Sequence, residues 1–567
     1  LYLKNGWSGA ALQDLKQKNM NWDRQEFTPK LYSLLKQGIS PEQIRKDVLS
    51  GILVGIVALP LAIAFAISSG VSPEKGLITA VFAGLVISVF GGSRVQIGGP
   101  TGAFIVIVYG IVQKSGVEGL TIATFMAGFI ILAMGLLRFG TLLKYIPHPL
   151  VVGFTSGIAV IIFSSQIRDL FGLQIEKVPA DFIEKWIAYF EHLHSVSLIA
   201  LAMGLGTIAL AFLMPKFTTK IPGSLIAIIL CTVITQVFHF PIDTIQTKFG
   251  DIPSIIPHPQ YHALTFEQVR DLISPAFAIA ILGSIESLLS AVVADGMIGG
   301  RHRSNMELVA QGLANIVSAT LGGIPATGAI ARTATNVKNG GRTPIAGIIH
   351  AVTLLVIMLV AAPFAKLIPL ACLAGILVVV AYNMGEWQNF RSVYKGNSYD
   401  RMVLLTVFGL TVIFDLIIAI EIGMVLSAFL FIKRMSDLTQ VNVLETQSKS
   451  ENIVGDLPEG IMIYEITGAL FFGAAQTFQQ ALRQINQKPK AIILNFKSVP
   501  LIDATGLYRL EDIVRQFHDQ GTLVYLTEFS PTVKSDIKKI HIGDLCTSHP
   551  DLDFCIRHAK EHIDPNT

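Results

Sequence analysis

Charge is what this 567-residue sequence most lacks: 15% of its residues are Asp, Glu, Lys or Arg, against 51% hydrophobic. Ordinary soluble domains carry about 25% charged residues, so the deficit excludes a chain that folds wholly in water. The formal net charge is only +3, and no basic tract is long enough to serve nucleic acid. Cysteine is scarce too. Cys231 and Cys372 sit in apolar runs, and Cys546 and Cys555 lie in a polar tail, where a reducing cytosol keeps thiols free. Cys546, His549, Cys555 and His558 can be written as a metal cluster, but their gaps fit no standard ligand knuckle. They read instead as a turn followed by a helix, and neither a metal nor a cofactor is expected. The absence of a nucleotide-binding loop and of a nucleophile–base set argues against an enzyme. No cleavable signal peptide is visible: residues 1–19 start with Leu, are polar, and read as an extension ahead of Met20.

What the sequence has instead is apolar length. A spanning helix needs about 20 apolar residues. Charge-free runs cover 48–73, 76–93, 95–113, 119–137 and 145–167, then 195–215, 221–242, 272–285, 308–331, 343–365, 367–385 and 402–414, with a last run at 422–432. Several are broken by Gly and Pro, and the best count is fourteen helical elements, two of them short. Positive charge checks the count. Lys30, Lys36, Arg45 and Lys46 place the N-terminal segment in the cytoplasm. Alternating spans then put Arg138 and Lys144, Lys216 and Lys220, Arg301 and Arg303, and finally Lys433 and Arg434 inside. The long, less basic segments 171–194 and 243–270 fall outside. The expected organisation is a cytoplasmic segment 1–47, a membrane domain 48–436, a linker 437–459 and a small α/β domain 460–567.

Two places in the membrane domain look alike. Gly91-Gly92 is followed by Gly99-Pro100-Thr101-Gly102-Ala103-Phe104, and about 226 residues later Gly322-Gly323 is followed by Pro325-Ala326-Thr327-Gly328-Ala329-Ile330. Each is the third element of a half with seven. Seven is odd, so the second half is inverted relative to the first. Paired Gly/Pro-interrupted segments at matching places point to a transporter site. A helix that starts in mid-membrane aims its unpaired N–H groups at the bilayer centre, with roughly half a positive charge. Two such ends make an anion site. Gly99 and Gly102 permit close backbone approach, and Thr101 either caps its helix or gives its hydroxyl to a ligand. Glu286 and Arg332 are ionisable groups deep in apolar runs, where charge costs several kcal/mol unless paired or hydrated. They are read as functional, the alternative being a static bridge between two helices. Asp415 and Glu421 read as polar groups at helix ends.

In the tail, Ile461–Ile466, Ala491–Phe496 and Leu523–Leu526 look like strands, with helical patterns at 475–486 and 504–518 and Pro531 in the first turn of another helix. Asp503 is placed to cap the helix that follows it, which leaves Thr505 exposed in the first turn.

These motifs resemble the sulfate permease (SulP) family, related to the animal solute carrier family 26 proteins. Ala58–Gly70 resembles its first span, Gly98–Phe104 its third, Gly283–Asp295 its eighth and Gly322–Thr343 its ninth-to-tenth junction. The tail resembles a STAS domain, shared with anti-sigma-factor antagonists. The resemblance implies an α-helical polytopic membrane protein of fourteen spans in a seven-plus-seven inverted repeat, divided into core and gate domains, with a cytoplasmic STAS domain and a homodimeric state. It implies an anion site at Thr101, Gly102, Ala103 and Phe104, completed by Ala331, Arg332 and Thr333 and by Pro60 and Ala64 of the first span. It makes Glu286 the residue tied to cation coupling, together with Ser290. In antagonist STAS proteins the position of Thr505 is a phosphorylated Ser or Thr, which marks Thr505 as a candidate regulatory position, and the STAS-like tail as a whole is expected to meet a cytoplasmic protein partner. The sequence keeps both Glu286 and Arg332, whereas sodium-coupled bicarbonate relatives tend to carry Asp at the first position and to lack the arginine. The expected activity is therefore proton-coupled uptake of a small inorganic or carboxylate anion (sulfate, bicarbonate or a dicarboxylate) across the cell membrane, with a Glu286–Arg332 pair in the empty site. Rivals are a sodium-coupled carrier on the same fold, an uncoupled channel or exchanger, and a nucleobase carrier.

Overall fold

A computed structural model describes residues 26–141, 146–175, 178–179, 181–217, 223–250, 257–259, 265–414, 416–443, 460–483, 489–539 and 542–563. Lys144, Lys220, Asp415, residues 1–19 and most of the expected linker lie outside the described residues. The chain divides into two compact units, Leu1–Met424 and Val425–Thr567.

The first unit is helical. Among the described residues, six stretches are long and apolar enough to cross a membrane: Pro41–Ser68 (α1), Pro73–Phe90 (α2), Gly102–Leu136 (α3), His148–Phe171 (α4), Phe266–Ile298 (α7) and Leu370–Lys395 (α11). Leu198–Phe217 (α6) and Ile345–Ala365 (α10) contain shorter apolar stretches. Between α4 and α6 lies Phe182–Glu191 (α5), amphipathic and capped by Asp181, whose carboxylate accepts from the backbone N–H groups of Ile183 and Glu184. α3 contains one non-helical residue, Gly116, whose φ of 67° and ψ of −174° kink it into two helical stretches. Ser304–Thr320 (α8) packs along α3, and α10 packs along α1.

Close helix packing explains the small residues. An added Cβ on Gly128 of α3 would come 2.8 Å from the backbone nitrogen of Ile316, and one on Gly312 of α8 would come 2.6 Å from that of Leu132. Two helices approach this closely only where neither carries a side chain.

The second unit contains a five-stranded sheet in the order β3-β4-β5-β6-β7, with strands Gln440–Val443, Ile461–Thr467, Ala491–Ser498, Leu523–Thr527 and Thr547–His549. β3 runs antiparallel and the others are parallel. Strands covered on both faces read as unbroken apolar runs. In β5, Ile492, Leu494 and Phe496 enter one core, with Val514 and Phe517, while Ala491 and Ile493 enter another, with Tyr525 and Ile556. Residues 440–443, expected within the linker, instead form the sheet's antiparallel edge. A four-residue strand beside a polar segment has too little apolar period to show itself. β7 is short and polar, and is likewise unmarked in the sequence. Asp503 caps its helix as expected, accepting from the N–H of Gly506, and also accepts from the N–H of Phe472. Thr505 is exposed in that first turn.

The four residues weighed as a metal cluster are engaged separately. His549 stacks on Phe554, and His558 meets the Tyr525 hydroxyl at 3.1 Å. Cys546 donates to the Ile542 carbonyl, and Cys555 is fully buried. Burial pushes the Cys546 thiol up to about 11 and raises that of Cys555.

Candidate functional site

The two Gly/Pro breaks meet. Gly98–Gly99 (β1) and Thr327–Gly328 (β2) form a two-residue antiparallel ladder, pairing Gly98 with Gly328 and Gly99 with Thr327. The Ala329 N–H extends it to the Ile97 carbonyl. Each strand leads into a helix start. Beyond β1, a 3₁₀ turn at Gly102–Phe104 opens α3. Beyond β2, Ile330–Lys338 (α9) begins. Neither start has a side-chain cap, so the first N–H groups of both remain available to a ligand.

Arg332 lies under this ladder. Its guanidinium donates to the Pro100 carbonyl, and the residue is 4% exposed. Gly99 adopts φ +145°, and a Cβ there would come 2.6 Å from Nη1 of Arg332. Both the backbone angle and the space therefore demand glycine. Gly99→Ala is expected to cost about 1–3 kcal/mol from overpacking alone. The measurement is the thermal midpoint of the detergent-solubilised full chain, and an unchanged midpoint would contradict this packing.

Glu286 of α7 accepts a hydrogen bond from Oγ1 of Thr101 at 2.8 Å. Capping, one of the two roles expected of Thr101, is thus not the one adopted. The expected direct Glu286–Arg332 pair is not formed either. Pro100 and Thr101 stand between them, the first taking the guanidinium and the second the carboxylate. The two side chains bond to neighbouring residues of one segment, and each charge still acts on the other through space.

The remaining expected site residues are distributed unevenly. Ala103 and Phe104 are buried, and Phe104 reaches the position where a Gly283 Cβ would sit, 3.2 Å away. Thr333 accepts from the Ile97 N–H at 3.0 Å, and Ser290 is 3.4 Å from the same hydroxyl. Both brace the ladder from behind. Ala331 is exposed. Pro60 and Ala64 are buried in α1, and the α1 side chain that approaches Gly102 is Phe65, next to Ala64, at 3.5 Å from an added Cβ.

Several supporting residues escaped the sequence reading. Gln96 donates to Ser287, whose hydroxyl donates to Glu307. Glu307 is fully buried and also accepts from the N–H groups of Gly92 and Ser93 and from Gln311. Asn336 donates to the Val95 carbonyl and accepts from Ser50. Asp47, assigned from sequence to the N-terminal segment, is buried within α1 and accepts from Thr343 and from the N–H of Arg342. Buried polar groups linked in this way favour a single geometry, although Oε1 of Gln96 and of Gln311 has no partner. A signal was present: Glu307, Gln311 and Asn315 recur every fourth residue, one polar stripe on α8.

Comparison with known proteins decides the identity of this arrangement. Residues 44–407 match the sulfate permease family, and residues 453–555 match the STAS domain. The chain belongs to the sulfate permease family. Within it, the chain is 42% identical over 486 residues to YvdB of Bacillus subtilis, covering 85% of this chain and 90% of that one. It is 30% identical over 523 residues to the bicarbonate transporter BicA of a Picosynechococcus species, covering 88% and 91%. The murine solute carrier 26 family member A9 anion transporter, solved in the inward-facing state, shares the fold at a TM-score of 0.84 and 18% identity, covering 94% of this chain and 93% of that one. This sulfate permease family member is therefore a multi-pass membrane anion transporter whose polypeptide continues into a STAS domain.

Proposed function

We propose that this protein is a secondary transporter of small oxyanions, of the sulfate or bicarbonate class, that couples uptake to protons and works by alternating access. Fourteen spans in two inverted sets of seven, a cell-membrane location with both termini in the cytoplasm, and a homodimeric state belong to the same reading. So does a role for the STAS domain as a protein-interaction module with Thr505 as its accessible regulatory position. The observation that carries the reading is the joining of two uncapped helix starts by the β1–β2 ladder, with Arg332 beneath and the Thr101–Glu286 pair beside it. The anion is held by the N–H groups of Gly102 and Ala103 and of Ala331 and Arg332, since those of Phe104 and Thr333 already donate to the Thr101 and Ala329 carbonyls, and the Arg332 guanidinium adds a full charge from below.

The hydrogen bond between Thr101 and Glu286 suggests how a proton is coupled to the anion. An ionised carboxylate only accepts, so it holds the Thr101 hydroxyl proton turned toward itself. A protonated Glu286 can donate instead. The bond then reverses, and the Thr101 hydroxyl proton is free to turn to the anion. Proton binding and anion binding favour each other without any contact between Glu286 and Arg332.

The test is uptake of labelled sulfate and of labelled bicarbonate by the full chain in proteoliposomes, with an inward proton gradient or a sodium gradient at fixed pH. Saturable uptake driven by the proton gradient is expected. Uptake driven by sodium alone would replace protons with sodium as the coupling ion. Non-saturating currents would make the protein a channel.

A further inference from the structure

A second group of cationic and polar side chains lies away from the ladder. Between the ends of α1, α3, α4 and α7 and the amphipathic helix α5 is a cavity of about 850 Å³. It touches Ile105, the residue after Phe104, and extends outward to Lys185 and Tyr189 of α5. Its outer end is therefore at the 171–194 and 243–250 segments, which the charge pattern places outside the cell.

Three of its lining groups are donors without a hydrogen-bond acceptor. Lys185 is 5% exposed, and its ammonium makes no hydrogen bond or ion pair among the described residues. Its partner is the ring of Tyr109, 5.8 Å away. Tyr189 is 2% exposed, and its hydroxyl is buried with no partner. The buried Nε of Arg168 also lacks a hydrogen bond. Buried donors are normally paired, and those that are not call for an explanation. The neighbouring acceptors are already committed. Asp169 sits 3.5 Å from Lys248 and 3.9 Å from Nε of Arg168, and Asp181 accepts the first N–H groups of α5. At the rim, exposed Lys114 and Asp271 balance each other. In the deeper part, Arg168, Lys185 and Lys248 outnumber Asp169 and Asp181 by one positive charge. Donors in excess, with one net positive charge, select a ligand that is both an acceptor and negative.

We propose that this cavity is an outer anion-capture site, distinct from the ladder, in which Lys185, Arg168 and Tyr189 hold a small oxyanion before it passes Ile105 to Gly102–Phe104. This rests on the oxyanion reading above. Burial lowers the basicity of Lys185, with Asp181 acting against it, and keeps the Tyr189 hydroxyl protonated by raising its pKa. A bound anion restores the charge balance that burial removes from Lys185.

The experiment uses the detergent-solubilised full chain and sodium sulfate or sodium bicarbonate in titration calorimetry. In Arg332→Gln, where the ladder site is disabled, one saturable binding event is expected to remain. Adding Lys185→Met should weaken it about tenfold, the loss of one charge-assisted hydrogen bond, whereas Lys185→Arg should largely preserve it. In proteoliposomes, Lys185→Met alone should raise the half-saturating concentration about tenfold with a much smaller fall in maximal rate, and Tyr189→Phe should move it in the same direction. The proposal is overturned if folded Arg332→Gln binds neither anion, or if Lys185→Met leaves its binding unchanged. Should Arg332→Gln not fold, an unchanged half-saturation in Lys185→Met overturns it equally. If the unmodified protein transports neither anion, the oxyanion reading fails, while the calorimetric comparison still decides whether the cavity binds one.

Discussion

Arg332→Gln proteoliposomes are expected to take up labelled oxyanion roughly a hundredfold more slowly than the unmodified protein. A unit charge about 4 Å from an anion contributes about 4 kcal/mol at an effective dielectric near 20. Arg332 lies one layer behind the helix starts, held on the Pro100 carbonyl, so a value nearer 3 kcal/mol is appropriate. Every 1.4 kcal/mol is tenfold. Glutamine also shortens the side chain and risks leaving the Pro100 carbonyl unpaired, which adds about 1–3 kcal/mol of instability. The thermal midpoint must therefore be measured beside the uptake. Arg332→Lys separates the two contributions, because lysine keeps the charge and loses the planar fork. If Arg332→Gln folds and transports at the normal rate, the helix starts alone hold the anion and the arginine is structural.

Glu286→Gln is expected to abolish the acceleration of uptake by an inward proton gradient while sparing anion exchange to within several-fold. Glutamine cannot ionise, yet its amide can donate to Oγ1 of Thr101, as the protonated acid does. The variant is thus locked in the form that turns the Thr101 hydroxyl toward the anion. Exchange with the anion on both sides at equal pH should continue. Net uptake should no longer respond to pH, because no group at the ladder changes its proton occupancy during the cycle. Thr101→Val removes the hydroxyl itself and should slow both modes. If Glu286→Gln still follows an imposed proton gradient, the coupling group lies elsewhere.

The parts of this site differ in how plainly the sequence announced them. The two breaks were legible because Gly and Pro interrupt apolar runs at matching places, and Glu286 and Arg332 because ionisable groups are conspicuous there. The ladder was not. A strand of two residues has no period to detect, and its partner is more than 200 positions away. The Glu286–Arg332 pairing failed for a related reason. Opposite charges at similar depth suggest a bridge, but only the backbone path shows that Pro100 and Thr101 come between them. Glu307 was overlooked because it precedes the charge-free run 308–331 and so read as its boundary, although the helix begins at Ser304. Asp47 was missed in the same way at the start of α1. The cavity donors were invisible because Arg168, Lys185 and Tyr189 look like ordinary interfacial residues until the fold brings Lys185 and Tyr189 of α5 to the same cavity as Arg168 of α4.

The ladder is built from main-chain atoms, and main-chain atoms do not mutate. Its requirements are small residues at Gly98, Gly99 and Gly328 and the amide network behind them. The side chains around the proposed anion position, Phe104 and the Phe65 and Met384 side chains that each lie 3.5 Å from a Cβ added at Gly102, are separate from those requirements. Cargo preference can therefore drift, or be engineered, by resizing that frame while the anion-holding hardware stays intact. A library confined to these framing positions should yield folded carriers with altered selectivity far more often than one that touches the ladder.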